Sequence, residues 1–151
     1  MYTSHLLRKG RVSQPLHFYV ITAVTNQRQP IFTQIDIAKK VITELYVLEN
    51  EKAVNTISYV LMPDHLHWQF QLLNKYTLAE VVKRLKGRTT QLINKAEQRK
   101  GSVWQADYYD HQIKNESDLI KQARYIVANP LRAGLVKNIA NYPFWNCIYL
   151  T

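Results

Sequence analysis

The chain has 151 residues, 46% hydrophobic and 11% aromatic, and its 20 Lys and Arg against 11 Asp and Glu give a formal net charge of +9. This composition suits one domain over residues 1–151 and excludes a disordered basic tail, while the single cysteine, Cys147, excludes an internal disulfide and cysteine-ligated zinc. No apolar run approaches the ~20 residues of a membrane-spanning helix and no secretion leader is recognisable, so we expect a cytoplasmic protein with no membrane partner.

The first half of the chain predicts three strands and one helix. Residues 16–25 are β-branched and aromatic, which favours a buried strand. From Thr33 the apolar period becomes helical, and Thr33 with Asp36 can form a capping box. Residues 54–61 predict a second strand and residues 65–73 an alternating third strand, joined by a tight connection.

The second half predicts two helices and a more polar strand. Thr77 with Glu80 caps the second helix, residues 104–113 form the fourth strand, and the third helix runs from about Asn115 to Asn129-Pro130. The order β-α-β-β-α-β-α predicts an α+β fold, a ferredoxin-like sandwich. We expect a mostly antiparallel four-stranded sheet with helices packed on one face.

Two histidines on the third predicted strand could hold a metal ion. His65 and His67 are two residues apart, so their side chains leave the strand on the same side. Gln69 and Gln71 continue this polar face, which we expect to meet water or a working site. The pattern also suits ordinary surface histidines, and it supplies no third ligand.

The third helix carries a tyrosine outside its apolar stripe. Tyr125 lies opposite that stripe, and Asn129 follows one turn later on the same side. Pro130 should bias Asn129 out of helical geometry and leave its amide oxygen free to bind a metal. The alternative is a solvent-facing tyrosine with an asparagine helix stop. Tyr108 and Tyr109 are rival candidates for a reactive tyrosine.

Basic residues concentrate on the second helix. Between residues 83 and 100 there are seven Lys or Arg and one acidic residue. A basic stripe on this helix could follow a phosphate backbone; its candidate residues are Lys83, Arg84, Arg88, Lys95 and Arg99. A smaller basic cluster near the start of the chain could form a second DNA contact through Arg8, Lys9 and Arg11. The alternative is a solvated helix face. This charge favours nucleic acid as the first partner, and an acidic membrane surface or another polyanion as the second.

The combined motifs resemble those of a known family. Residues 61–67 read LMPDHLH, residues 104–105 read WQ, residues 109–111 read YDH, and residues 125–136 read YIVANPLRAGLV. Together they resemble the single-tyrosine HUH transposases (transposase IS200-like), and among these the REP-associated tyrosine transposases. The resemblance extends from about residue 16 to residue 145.

The resemblance implies a fold, a chemistry and a substrate. The fold is the HUH-nuclease core, with Tyr125 as nucleophile and with His65, His67 and Asn129 as ligands of Mg²⁺ or Mn²⁺. The activity is a metal-dependent single-stranded DNA endonuclease and strand transferase that cleaves near palindromic hairpins through a 5′-phosphotyrosine. Asp64 stands where the family commonly has Asn. Its carboxylate could strengthen metal binding from behind the ligands or cap the turn, and we expect the turn cap.

Two other functions fit the same residues. A non-catalytic protein that binds hairpin or single-stranded DNA would keep the basic stripe without needing Tyr125. A small relaxase or replication initiator would share the His and Tyr chemistry, although such chains are usually longer. We expect a monomer, with a homodimer as the alternative.

Overall fold

The computed structural model describes residues 13–150, so Arg8, Lys9 and Arg11 lie outside the described residues. The strands are β1 (Phe18–Val24), β2 (Val54–Met62), β3 (His65–Leu72), β4 (Tyr109–Ile113) and β5 (Trp145–Cys147). The helices are α1 (Ile35–Asn50), α2 (Leu78–Glu97), α3 (Glu116–Val127) and α4 (Asn129–Arg132), with 3-10 turns at Asn26–Arg28, Ile31–Thr33 and Ile139–Asn141. In this part of the chain, no helix is long and apolar enough to cross a membrane.

The strands form one antiparallel sheet in the order β4-β1-β3-β2-β5. This arrangement confirms the predicted α+β class. The sheet has one strand more than predicted, because β5 pairs with β2 through Ser58, Tyr59 and Val60. The central position of β3 matters for the site, since His67 pairs with Thr22 on one side and Val60 on the other.

Helices cover both faces of the sheet, so the prediction that they share one face is wrong. One face packs on α1 and α2 through residues such as Ile21, Trp68 and Leu85. The other face packs on α3, where Val20 and Val60 meet apolar side chains of that helix. Successive residues of β1 are buried on opposite faces, as expected of a strand that is covered on both sides.

Under α3, the polar face predicted for β3 is divided. Gln69 is fully buried; its side-chain amide donates to the Leu119 carbonyl of α3 at 3.0 Å and its oxygen accepts from the Ser58 hydroxyl at 2.8 Å. A β-bulge between Thr56 and Ser58 sets the register of this pair. The buried amide therefore ties α3 to the sheet, and only His65, His67 and Gln71 remain partly exposed.

Local capping signals give mixed results. The Thr77–Glu80 capping box starts α2, and the Asn115 side chain accepts from the Asp118 N–H at the start of α3. The predicted Thr33–Asp36 box is wrong, because the Thr33 hydroxyl donates to the Pro30 carbonyl and α1 begins at Ile35. The predicted fourth strand is shorter than expected, since only its second half forms β4.

Candidate functional site

His65 and His67 stand at the start of β3, immediately after the turn that closes the β2–β3 hairpin. Both side chains are half-buried and leave the strand on the side of α3. Their ring centroids are 4.7 Å apart and the rings are nearly perpendicular. Two imidazoles held this close can share one ligand.

Each of the two histidines forms a hydrogen bond between its Nδ1 atom and a neighbouring side-chain oxygen. Asp64 Oδ1 lies 2.7 Å from His65 Nδ1, and Thr22 Oγ1 lies 2.9 Å from His67 Nδ1. Arg28 in turn binds Asp64 at 3.2 Å. Such contacts fix the orientation of a metal-binding imidazole and leave its Nε2 for the ligand. The prediction that the Asp64 carboxylate caps the turn is wrong, because this carboxylate binds the side chains of His65 and Arg28 and so orients the His65 ring.

Burial and neighbouring charges together set the protonation of His67 and Asp64. Burial, followed by the nearby charges of His65 and Arg132, lowers the pKa of His67 to about 4. Burial raises the pKa of Asp64, but the hydrogen bonds and charges of His65 and Arg28 outweigh it, and the net pKa is lowered. At neutral pH the site therefore presents a neutral imidazole at His67 and a carboxylate behind His65, which are the forms that metal binding requires.

Tyr125 reaches the same place from α3. Its side chain is 60% exposed, as predicted from its position outside the apolar stripe. A cavity of about 190 Å³ brings together residues of β1, β3, β4 and α3; its lining consists of Val20, Thr22, His67, His111, Gln122, Tyr125 and Ile126. The structure therefore places the tyrosine and one of the two histidines in a single cavity, although they are far apart in sequence.

The apolar stripe of α3 determines where Tyr125 points. Leu119, Ala123 and Ile126 are buried against the sheet, so the opposite side of the helix turns outward at the cavity rim. Asn129 is half-buried and begins α4, with Pro130 in the first turn. The expected distortion at Asn129 is therefore wrong, because proline is compatible with the first helical turn.

The donor set fits a divalent cation in part. Among residues 13–150, no group of three His, Cys, Asp or Glu side chains could hold a metal ion. Two imidazole Nε2 atoms remain available, so further ligands must be amides, waters or DNA oxygens. Asn129 follows Tyr125 by one helical turn, and its role as the third ligand stays a prediction.

Three residues near the site were not among the predicted site residues. His111 and Gln122 line the cavity, and the Arg132 guanidinium carbon lies 3.7 Å from the centroid of the Tyr125 ring. The helical spacing gave a signal for Gln122, which is three residues before Tyr125 and on its side of the helix, whereas Arg132 lies beyond the predicted end of that helix. His111 approaches through strand pairing, opposite Val20, which a local pattern does not reveal.

The basic residues of α2 do not form one free stripe. Arg88 binds Glu44 at 2.8 Å and Glu51 at 3.2 Å, and Arg84 stacks on the Tyr76 ring at 4.0 Å. These contacts stabilise the interior side of α2, because Glu44 is only 5% exposed. A DNA phosphate that binds Arg88 would have to compete with its ion pairs to Glu44 and Glu51.

Other basic residues of α2 lie beside Arg84 and Arg88 and form the exposed positive charge of this helix. Lys83 and Lys95 are exposed, and Arg99 is half-buried. Lys83 borders a groove of about 580 Å³ between α2 and residues 101–106, next to the exposed Gly87. Nothing lies within 4 Å of the position of a Cβ at Gly87, so this part of the helix surface is open.

Comparison with known proteins gives matches of one kind. The profile of the family described as "Transposase IS200 like" matches residues 13–129. A Haemophilus influenzae protein provisionally named a REP-associated tyrosine transposase is 27% identical over 99 residues, 59% of this chain and 56% of that protein. This chain therefore spans little more than half of that relative. The Escherichia coli K12 REP-associated tyrosine transposase is 22% identical over 129 residues, 84% of this chain and 73% of that one.

A solved structure shares the fold. The structure of a REP-associated tyrosine transposase bound to a REP hairpin superposes with a TM-score of 0.72 at 22% sequence identity. The match covers 89% of this chain and 79% of that one. Most of the architecture described above is thus common to both molecules.

Proposed function

This chain belongs to the IS200-like transposase family, and from that premise we propose that it cleaves and rejoins single-stranded DNA next to palindromic hairpins. The observation that carries the proposal is the cavity lined by both His67 and Tyr125. A metal-binding group and a nucleophile in one small cavity are what tyrosine-dependent phosphoryl transfer requires.

We assign the metal site to His65, His67 and Asn129, with Mg²⁺ or Mn²⁺ as the ion. The Nδ1 contacts of Asp64 and Thr22 support this assignment, because they fix the orientation of both imidazoles and leave Nε2 of each ring for a ligand. When bound, the ion supplies positive charge that polarises the phosphate and neutralises charge developing in the transition state. The preference for Mg²⁺ or Mn²⁺ comes from the family, since imidazoles alone would also suit Zn²⁺ or Ni²⁺.

Tyr125 is the nucleophile. Its phenolic oxygen forms a bond to phosphorus while the bond between phosphorus and the 3′ oxygen breaks. The phenol loses its proton and the leaving 3′ oxygen gains one, so the products are a 5′-phosphotyrosine and a free 3′-hydroxyl. The new bond between phosphorus and the phenolic oxygen retains the energy of the bond that was broken, so attack by a 3′-hydroxyl can reverse the step and rejoin the strand.

The DNA partner is a single strand that folds into a palindromic hairpin. The family supports this substrate, and so does the net charge of +9. The solved relative is itself bound to a REP hairpin. The exposed Lys83 and Lys95 are our first candidates for phosphate contacts in the described part of the chain, and we propose that the protein acts as a monomer.

The decisive experiment is the capture of the covalent adduct. The protein is incubated with Mn²⁺ and a pool of single-stranded hairpin oligonucleotides with randomised flanks, and the products are separated by denaturing electrophoresis. We expect a DNA–protein adduct that carries the 5′ end of the cut product. Tyr125→Phe should abolish it, whereas Tyr109→Phe, the matched exposed control on β4, should form it normally.

The result distinguishes the alternatives. Cleavage without attachment to the protein would point to a hydrolytic nuclease, and hairpin binding without cleavage would point to a non-catalytic binding protein. An adduct that persists in Tyr125→Phe would assign the chemistry to another residue. Attachment through Tyr125 to an origin-like sequence rather than a hairpin would favour a relaxase or replication initiator.

A further inference from the structure

An arginine side chain lies over the Tyr125 ring. The Arg132 guanidinium carbon lies 3.7 Å from the ring centroid, within the usual range of a cation–π contact. Both side chains are exposed at the surface rather than packed in the core. A contact of this kind between two exposed side chains adds little to the stability of the fold. Stability alone therefore gives little reason to place an arginine on the nucleophile.

The backbone under Arg132 is held in place. Its N–H donates to the Ala128 carbonyl at 3.1 Å, so the chain continues helically from α3 through the bend into α4. Behind it, the N–H of Leu135 donates to the Pro130 carbonyl at 2.9 Å, and Gly134 turns the chain at φ +73°. Arg132 thus returns to the side of Tyr125, seven residues or about two helical turns later.

Arg132 also lies within electrostatic reach of His67. Its charge is one of three causes that lower the pKa of His67, after burial and His65. The guanidinium therefore influences both a proposed metal ligand and the proposed nucleophile. A scissile phosphate between these groups would come close to it.

We propose that Arg132 is a further catalytic residue, which binds the non-bridging oxygens of the scissile phosphate while its face rests on the Tyr125 ring. The inference depends on the proposed function and names the group that holds its substrate. A guanidinium is planar, and its N–H donors lie in the plane, so it can stack on an aromatic ring and still bind a phosphate through two hydrogen bonds.

The chemistry of the step favours a fixed cation here. Negative charge builds up on the non-bridging oxygens while the phenolic oxygen bonds to phosphorus and the 3′ oxygen leaves. Arg132 neither gains nor loses a proton in this step, because a guanidinium acts as a hydrogen-bond donor and a positive charge and not as an acid or base. It stabilises the transition state by position alone, and it also holds the tyrosine ring against rotation.

The test combines protein variants with a modified substrate. A hairpin oligonucleotide captured by the wild-type protein is sequenced to locate the scissile phosphate, then synthesised with that phosphate or with a neutral methylphosphonate in its place. Single-turnover rates of adduct formation in Mn²⁺ are measured for wild type, Arg132→Ala and Arg132→Lys. Arg124→Ala, which removes another exposed arginine from α3, is the matched control.

On the natural phosphate, Arg132→Ala should slow adduct formation on the order of 100-fold, comparable to the loss of a preorganised donor to a developing oxyanion. Arg132→Lys should recover part of the rate, because it restores charge without the planar stack. On the methylphosphonate the Arg132→Ala defect should largely disappear, since the charge that Arg132 binds is absent. Arg124→Ala should react like wild type with both substrates.

Two outcomes would overturn the inference while leaving the proposed function intact. One is an Arg132→Ala rate equal to that of wild type on the natural phosphate. The other is an equal defect on both substrates, which would indicate a structural or DNA-positioning role. Failure of the wild-type protein to form any adduct would instead overturn the proposed function, and the inference with it.

Discussion

Asp64 Oδ1 lies 2.7 Å from His65 Nδ1, and the same carboxylate binds Arg28 through its other oxygen. The pair joins the hairpin turn to the first histidine of β3. Because the carboxylate is anchored from both sides, the imidazole of His65 has little freedom to rotate. The residue before the first histidine therefore forms part of the site.

We predict that Asp64→Ala weakens metal activation more than it weakens folding. The Mn²⁺ concentration required for half-maximal adduct formation should rise 10–100-fold, roughly the range for loss of a residue that orients a metal ligand. The measurement is a Mn²⁺ titration of the initial rate at saturating hairpin DNA. Asp64→Asn should remain close to wild type, since an amide oxygen can still accept from His65 Nδ1. Equal metal requirements for both variants would contradict the orienting role.

His67→Ala should abolish metal-dependent cleavage and leave the fold nearly intact. The variant loses one side-chain hydrogen bond, to Thr22 Oγ1, together with the edge contact with the His65 ring, and a single hydrogen bond contributes about 1 kcal/mol. For a chain of this size that corresponds to a fall in Tm of about 2–4 °C. Thermal unfolding without metal and adduct formation with Mn²⁺ check the two parts. A loss of stability several times larger would identify His67 as a core residue rather than a ligand.

Arg88→Ala should destabilise the protein, because it leaves the buried Glu44 without its partner. Removing one member of a buried ion pair costs about 3 kcal/mol, or a fall in Tm of about 6–12 °C. Lys95→Ala, which removes an exposed cation from the same helix, should change the free energy of unfolding by less than about 0.5 kcal/mol. Thermal and denaturant unfolding provide the measurement.

A second substitution examines the cause of that loss. Glu44→Gln on the Arg88→Ala background removes the unpaired buried charge, and it should restore part of the lost stability. If the double variant is no more stable than Arg88→Ala, the loss would instead reflect packing of the arginine side chain.

Charge reversal at Lys83 and Lys95 should weaken hairpin binding in a salt-dependent way. Each lost phosphate contact lowers the slope of log K against log salt concentration by ~0.7–0.9. Fluorescence anisotropy with a labelled hairpin over a range of salt concentrations measures both affinity and slope. Lys52→Glu, an exposed lysine in the turn between α1 and β2, is the control for net charge. An unchanged slope in the double variant would remove this surface from the DNA interface.

Features set by neighbouring residues were predictable from the sequence. The Thr77–Glu80 box could be predicted because its hydrogen bonds join residues three apart. The common orientation of His65 and His67 follows from strand alternation, and the exposure of Tyr125 follows from its angle to the apolar stripe. The Thr33–Asp36 prediction was wrong because the Thr33 hydroxyl binds a carbonyl within its own 3-10 turn.

Features set by packing between distant segments needed the tertiary structure. Arg88 is positioned by Glu44 on α1, a residue 44 positions earlier, and a helical period does not reveal that ion pair. The placement of α3 on the second sheet face depends on the buried Gln69 amide and on apolar residues of β1 and β2. A strand buried on both faces is apolar throughout, so its sequence does not indicate which helix covers which face.

The sequence by itself determined the family of this chain, the candidate reacting groups and their local orientation. Only the tertiary structure decided that His67 of β3, His111 of β4 and Tyr125 of α3 line one cavity, and that Arg132 rests on the tyrosine ring. The physical reason is the sequence separation of the contacts that form each feature. Alternation, helical spacing and capping arise from contacts within a few residues, whereas the site forms where sheet pairing and apolar burial bring separate elements together.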